Sequence, residues 1–166
     1  VDDSAGRPLA DTAPAVYLRL LAAMAAADCA PVPLLAALKH PLAAGGLPPA
    51  AFRERVRRLE RTVLRGPRPD PGFAGLRLAL ARAGEAETET DRIEAPDADL
   101  QSFVAGLDDL AASFLRLMRR SWAEFGELLA AHIRFAARLA QSATASGGPR
   151  LWARAEGGAP APVVSR

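Results

Sequence analysis

Lysine, cysteine and histidine are scarce in this chain, and each shortage excludes a class of chemistry. The single cysteine, Cys29, allows neither an internal disulfide nor a cysteine-ligated metal cluster, which agrees with a reducing, cytosolic setting. The only lysine, Lys39, follows leucine, so a phosphate-binding loop ending in Gly-Lys-Ser/Thr is absent, as is a nuclease core with lysine two residues after an acid. The two histidines, His40 and His132, have no carboxylate at ligand spacing, so we expect no metal site.

Long apolar runs and aromatic residues are also few. No run approaches the roughly 20 apolar residues that span a bilayer, and the opening stretch VDDSAGRPL lacks the basic and apolar regions of a signal peptide. The chain begins at Val1 without an initiator methionine, and we expect a cytoplasmic fragment of a longer protein. Aromatic residues make up 5% of the chain and alanine is abundant, which favours closely packed helices over strands.

The charges that are present are segregated along the chain. The net charge is only +2 over 166 residues, a length typical of one domain. Residues 47–82 carry nine arginines against three acids, and residues 113–154 carry seven against two. Between these blocks, residues 85–109 carry nine acids against one arginine. Because local patches rather than totals steer polyanions, this pattern is more informative than the net charge.

Apolar residues recur at helical spacing, which predicts an all-α fold of about six to seven helices in one domain. The first five helices are predicted near residues 13–28, 33–40, 49–65, 72–82 and 100–118. A sixth is predicted to begin at Trp122, and a short seventh covers the LWARA segment. The domain is predicted to have four parts. Residues 1–83 form an N-terminal helical part and residues 84–99 an exposed acidic loop. Residues 100–146 form a helical hairpin or one continuous helix, and residues 147–166 a short helix with a Pro/Ala tail. The acidic loop is predicted from its seven acids, one proline and lack of periodicity.

Two helix starts in the second half of the chain have candidate caps. Asp97 or Asp99 is a candidate N-cap for the helix that begins near residue 100. Ser121 and Glu124 match the spacing of a capping box, which predicts a new helix from Trp122. The alternative is that the two helices run on as one, since no residue between them forbids helix.

The predicted helix 49–65 is the strongest candidate for a binding site. Its apolar stripe is narrow and arginines cover its other faces, where they are available to track a phosphate backbone. Phe52 belongs to the stripe, so no aromatic residue is interleaved for base stacking and DNA contact would not read sequence. The predicted phosphate contacts lie on this helix and on the connector RGPRPDPG that follows: Arg53, Arg57, Arg58, Arg61, Arg65 and Arg68. The alternative is a solvated face with partial pairing, such as Glu54 with Arg58.

The remaining polar candidates fit structural roles better than catalytic ones. Lys39 and His40 fall in the last turn of a short helix, where cations suit the helix dipole. His132 falls on the apolar stripe of its helix, which predicts a core histidine, and Cys29 is predicted to be a small buried hydrophobe. No acid–base pair is available to line a pocket, so a stand-alone helical enzyme or ligand-binding regulator is the weakest interpretation.

Three stretches resemble the B subunit of the AddAB helicase–nuclease, of the alphaproteobacterial type, which processes double-strand DNA breaks for recombinational repair. They are VDDSAGRPLADTAPAVYLRLL with its Asp-Asp segment, APVPLLAALKHPLAAGG with the Leu-Lys-His-Pro-Leu motif at 38–42, and RRLERTVLRGPRPDPGFAGLRLAL with the Arg-Gly-Pro-Arg-Pro connector at 65–69. The similarity is specific over about residues 1–80. Further on, GGPRLWARAEG at 147–157 is compatible with a Gly-Gly-x-x-Leu-Trp stretch of the family.

This resemblance implies a helical insertion domain like the 2B domain of superfamily 1 helicases, within the helicase-like half of the subunit. The family's nuclease core and iron–sulfur cluster lie far C-terminal and do not map onto this chain, so the resemblance implies a non-catalytic module without a cofactor. The implied partners are DNA, through its phosphate backbone, and the partner helicase–nuclease subunit with neighbouring domains. The alternative is a structural module that packs against those proteins without touching DNA.

Overall fold

The computed structural model describes residues 8–88 and 98–152, and its regular structure there is helical throughout. A short 3₁₀ turn, Leu9–Asp11, precedes seven α-helices in these residues. The helices are Ala13–Ala26 (α1), Pro31–Leu38 (α2), Pro49–Leu59 (α3), Gly72–Thr88 (α4), Ala98–Met118 (α5), Phe125–Ala140 (α6) and Gly147–Trp152 (α7). The predicted all-α fold is confirmed for this part of the chain.

Prolines and one threonine determine where the first helices begin. Thr12 is the N-cap of α1, where its side chain accepts a hydrogen bond from the backbone N–H of Ala15 at 3.4 Å, and Pro14 lies in the first turn. Helices α2 and α3 begin at Pro31 and Pro49, because a proline loses no hydrogen bond at the first helical position. The sequence predicts these three helices at nearly the observed starts.

The acidic stretch is more helical than predicted. Helix α4 continues to Thr88, well beyond its predicted end, and α5 begins at Ala98. Glutamate and alanine are good helix formers, so an acidic composition by itself does not end a helix. The rest of the predicted acidic loop, residues 89–97, lies outside the described residues, as do residues 1–7 and the tail 153–166.

The caps in the second half of the chain differ from the prediction. Asp97 lies outside the described residues, and Asp99 lies inside the first turn of α5 rather than at its N-cap. The predicted capping box is wrong, because α6 begins at Phe125 and its N-cap, Glu124, makes no side-chain cap hydrogen bond in the described part of the chain. The continuous helix is also wrong, since α5 ends at Met118 and α6 folds back onto it.

Aromatic packing explains why α6 folds back onto α5. The ring of Phe114 on α5 stacks with the rings of Phe135 and His132 on α6, with centroids 5.9 and 4.6 Å apart. Nε2–H of His132 donates to the Leu18 carbonyl at 3.0 Å, so the same ring also links α6 to α1. A continuous helix would separate these rings and expose them, at the cost of their burial. His132 is half-buried, so the predicted core histidine is found packed against the core and hydrogen-bonded rather than fully buried in it.

One hydrophobic core receives side chains from all seven helices. Its largest fully buried side chains include Tyr17 on α1, Phe52 on α3 and Phe114 on α5. Phe52 packs edge-on against Phe103 of α5, with ring centroids 5.5 Å apart. Cys29, in the turn after α1, belongs to this core, and burial raises the pKa of its thiol to about 12. The prediction of a small buried hydrophobe at Cys29 is therefore confirmed.

The stretch LKHPLAAGG connects α2 to α3 and is held by the C-terminal helices. The backbone N–H of Gly45 donates to the Leu139 carbonyl of α6 at 2.8 Å. From α7, the Arg150 guanidinium donates to the Leu42 carbonyl at 3.1 Å and also to the Ala140 carbonyl at the end of α6. These bonds satisfy backbone groups of a segment without regular structure, and they fix the start of α3 relative to α2.

The surroundings of two helical glycines predict that substitution by alanine changes the stability of the fold in opposite directions. A Cβ at Gly75 of α4 would overlap the backbone carbonyl of Asp70, whereas a Cβ at Gly106 of α5 meets no atom within 4 Å. We expect Gly75→Ala to destabilise the fold by about 2 kcal/mol or more and Gly106→Ala to stabilise it by about 0.5–1 kcal/mol. Urea unfolding followed by circular dichroism measures both, and equal effects of the two substitutions would contradict the packing described for α4.

The two histidines predict a loss of stability in mild acid. Burial lowers the pKa of both His40 and His132 from the ordinary value. As the pH falls, the histidines of the unfolded chain therefore take up protons before those of the folded chain. Their effect leaves the free energy of unfolding at its full value above about pH 6.5 and lowers it as the pH drops through that value. We expect His132→Gln, which can still donate to Leu18, to show a flatter dependence between pH 8 and 5 in urea unfolding. An unchanged dependence in this variant would contradict the assignment.

Candidate nucleic-acid interface

The arginine-rich helix positions the candidate site. Helix α3 buries Phe52, Val56 and Leu59 on one narrow stripe and packs against α5. This stripe leaves the remaining helical positions facing outward. Helix α3 continues into a single π turn, Glu60–Leu64, so the predicted helix 49–65 is found as one element whose last turn is wider than an α turn.

Three of the predicted arginines form one exposed row. Arg53, Arg57 and Arg61 are four residues apart along the helix and all three are exposed; we call them the arginine row. Glu54 lies beside the row, where its Oε2 accepts from Nε and Nη2 of Arg57 at 3.1 and 2.6 Å, and its Oε1 lies 3.7 Å from Nη2 of Arg61. The bond from Arg57 is the main reason that the pKa of Glu54 lies below its ordinary value. The row therefore presents three cations beside one carboxylate.

Arg58 points to a different side of α3, where Asp99 of α5 lies. Its Nη1 donates to Oδ2 of Asp99 at 3.3 Å. Arg55, which sequence analysis did not single out, donates to the same carboxylate from Nε at 3.1 Å and from Nη2 at 2.6 Å. The bond from Arg55 is the main reason that the pKa of Asp99 is lowered. The charge of Arg58 also lowers the pKa of Glu54, so the alternative of a partly paired face is joined by a contact between helices that only the fold creates.

The π turn brings Arg65 over Glu60. The backbone N–H of Arg65 donates to the Glu60 carbonyl at 3.0 Å, an i to i+5 bond. In the side chains, Nη2 of Arg65 lies 3.4 Å from Oε1 of Glu60, and Nζ of Lys39 lies 2.7 Å from Oε2. The bond from Lys39 is the main reason that the pKa of Glu60 is lowered. Lys39 lies at the C-cap of α2, near its predicted position, but its partner is this carboxylate from another element.

A groove between the end of α2 and α3 gathers four cations. Its volume is about 260 Å³, and we call it the cation groove. The residues that line it are Leu38, Lys39, Arg53, Val56, Arg57, Glu60 and Arg65. The structure therefore brings together three of the six predicted arginines and adds Lys39, which sequence analysis assigned to a structural role. A salt bridge between Lys39 and Glu60 has no signal in the sequence, because the two residues lie in different helical elements.

Arg68 lies apart from the other predicted arginines. It is exposed on the connector after the π turn, where it lines shallow grooves beside the end of α1 and beside α4. The far end of the connector is anchored at Asp28, whose carbonyl accepts from the Gly72 N–H at 2.8 Å and whose carboxylate accepts from Arg119 at 2.7 Å. Arg68 thus belongs to a different part of the surface from the arginine row.

Other chemistry has little support in the described residues. No three His, Cys, Asp or Glu side chains there are grouped so that they could hold a metal ion. His40 stacks on Tyr17 with centroids 4.9 Å apart, and its Nδ1 accepts from the Leu42 N–H at 3.3 Å, so it supports the turn after α2. Among the described helices, none has both the length and the apolar character needed to cross a membrane.

Comparisons with protein-family models, with curated proteins and with solved structures find no match to this chain. The resemblance to the AddAB B subunit therefore stays a prediction from the sequence stretches described above. Two of them lie in or beside the candidate site: 38–42 contains Lys39, and 65–69 contains Arg65 and Arg68. A functional conclusion rests on the geometry of these residues together with that similarity.

Proposed function

We propose that this chain is a non-catalytic α-helical module that binds the phosphate backbone of DNA through the arginine row. One observation carries the proposal: Arg53, Arg57 and Arg61 share one exposed face of α3, and among the described residues Glu54 is the carboxylate that pairs with Arg57 and Arg61. Four residues of α-helix advance by about 6 Å, so three flexible guanidiniums cover roughly 12 Å of a ligand surface. A row of this kind neutralises successive phosphates and releases their counterions.

The chemistry of the row also limits what it recognises. Its members are arginines, which grip phosphate oxygens through several N–H groups at once, and the aromatic residue of α3, Phe52, is buried in the core. Contacts to phosphates position a protein on DNA without reading bases. The proposed binding is therefore independent of sequence and strongly dependent on salt.

The motif similarity gives this module a context. As part of a B subunit of AddAB type, it is a cytoplasmic, 2B-like helical insertion of a double-strand-break repair helicase–nuclease, where it guides DNA and contacts the partner subunit. The module itself needs no cofactor for this role. An all-α fold in the described residues and a basic face on one helix support this context.

Charge reversal on the row tests the proposal. We expect Arg57→Glu with Arg61→Glu to reduce the affinity for a tailed duplex at low salt by about tenfold or more and to flatten the slope of log K against log salt by about two. The matched control is Arg134→Glu with Arg138→Glu, an exposed pair at the same spacing on α6. Fluorescence anisotropy between low and physiological salt measures all three proteins.

Two outcomes would contradict DNA binding by the row. The first is a wild-type chain that does not bind the duplex even at low salt. The second is an equal loss of affinity in the α3 and α6 double variants, which would show that only net charge matters. Circular dichroism of each variant checks that the helices are retained.

A second candidate function is protein–protein contact, and exposed apolar residues near the start of α6 favour it. Trp122, Phe125 and Leu129 are 77, 76 and 43% exposed. Phe125 and Leu129 are four residues apart on one helical face, and Trp122 precedes Phe125 by three residues. Large apolar side chains grouped in this way mark surfaces that another protein covers. In this second function, the partner helicase–nuclease subunit covers them.

Removing the two exposed aromatic residues tests this second function. We expect Trp122→Ser with Phe125→Ser to weaken binding to the purified partner subunit by about tenfold or more, because buried aromatic anchors dominate interface energies. Leu9→Ser with Val32→Ser is the control, since these two side chains are exposed to a similar degree elsewhere on the chain. Sedimentation velocity of mixtures measures the association, and equal binding by both double variants would rule out this surface.

A further inference from the structure

Cations from separate elements converge on the cation groove, in contrast to the arginine row. Lys39 extends from the end of α2, Arg53 and Arg57 extend from α3, and Arg65 follows the π turn. A groove of about 260 Å³ is larger than the space of a single water molecule and has room for a phosphate group. Four cations and one carboxylate, Glu60, line this small groove, so positive charges outnumber negative ones there and favour an anionic ligand.

The π turn is what adds Arg65 to the groove. In a regular α-helix, side chains five residues apart are rotated by about 140° and point to different faces. The wider turn over Glu60–Leu64 reduces this rotation, and Arg65 meets the carboxylate of Glu60 at 3.4 Å. The π turn forms the end of the helical element, and the chain leaves the helix at Arg65, beside the groove.

The carboxylate of Glu60 in the groove pairs with two of the cations but does not occupy all of their N–H donors. The Glu60 side chain is only 15% exposed, and its two oxygens face Lys39 and Arg65. An ammonium has three N–H groups and a guanidinium has five, so both cations keep donors for a ligand. Arg53 makes no ion pair with any described residue, so its guanidinium is fully available.

We propose that the cation groove binds one phosphate group of the DNA backbone, with Lys39, Arg53 and Arg65 as its donors and Glu60 as a positioning residue. This inference deepens the proposed function and depends on it, because the strand that crosses the arginine row continues into the groove. Arg53 and Arg57 belong to both sites and link them. In this proposal Lys39, the only lysine of the chain, binds the ligand and is also the C-cap of α2.

Replacing the lysine tests the groove apart from the row. We expect Lys39→Gln to weaken binding of a tailed duplex by roughly three- to tenfold at low salt and to reduce the salt slope by about one. The control is Arg134→Gln, which removes one exposed positive charge from α6 and should leave the slope unchanged. If the wild-type chain binds DNA and the two substitutions have equal effects, the proposed phosphate site in the groove is wrong, while DNA binding by the arginine row still stands.

Replacing the carboxylate tests the positioning role. Glu60→Gln makes the chain more positive, so attraction by net charge alone predicts tighter DNA binding. If Glu60 positions Lys39 and Arg65, binding weakens in spite of the added charge, by about the same factor as in Lys39→Gln. Tighter binding would overturn the positioning role, and thermal unfolding followed by circular dichroism verifies that the π turn and its helix remain folded.

Inorganic phosphate distinguishes a backbone phosphate from a free one. We expect wild-type chain that is saturated with duplex to lose DNA as phosphate is added, to a greater extent than with chloride of equal ionic strength, and we expect Lys39→Gln to abolish this difference. If phosphate binds the wild type in isothermal titration while Lys39→Gln leaves the DNA salt slope unchanged, the groove takes free phosphate and the backbone assignment is wrong. A wild type that binds phosphate but no DNA would overturn the proposed function separately.

Discussion

The Phe52 side chain lies fully buried between α3 and α5, edge-on to Phe103, and its burial sets the rotation of α3 about its own axis. With Val56 and Leu59 on the same stripe, the helix has only one narrow face to offer the core. Every arginine of α3 must therefore lie on the remaining surface, whatever its function. The exposed row and the cation groove are both consequences of this one constraint.

Carboxylates from near and distant parts of the chain then divide the arginines among different roles. Glu54 serves the row from within the same helix, whereas Asp99 reaches Arg55 and Arg58 from α5 and fastens the two helices together. Glu60 connects the end of α2 to the π turn. Exposed ion pairs of this kind contribute little to stability, but they fix where guanidiniums point, and that decides which of them can meet a ligand.

Helix positions could be predicted from the sequence where a local signal exists. Prolines and a capping threonine mark the first three helix starts, and apolar spacing places His132 on the face of α6 that packs against Phe114. The two ends of the predicted acidic loop, residues 84–88 and 98–99, lie in helices, although their composition resembles that of a loop. The break before α6 has no strong local signal either, because the stacking of Phe114 on Phe135 is a contact between residues distant in sequence.

The sequence by itself determined that this chain is helical, that α3 is arginine-rich with one narrow apolar stripe, and that several familiar catalytic motifs are missing. These properties depend on residue type and on spacing within one helix. Only the tertiary structure decided which arginines lie together, because the end of α2, the π turn and the start of α5 are brought to α3 by packing of the core. Lys39 shows the difference: its position at a helix end follows from its neighbours in sequence, and its place in the groove follows from Glu60.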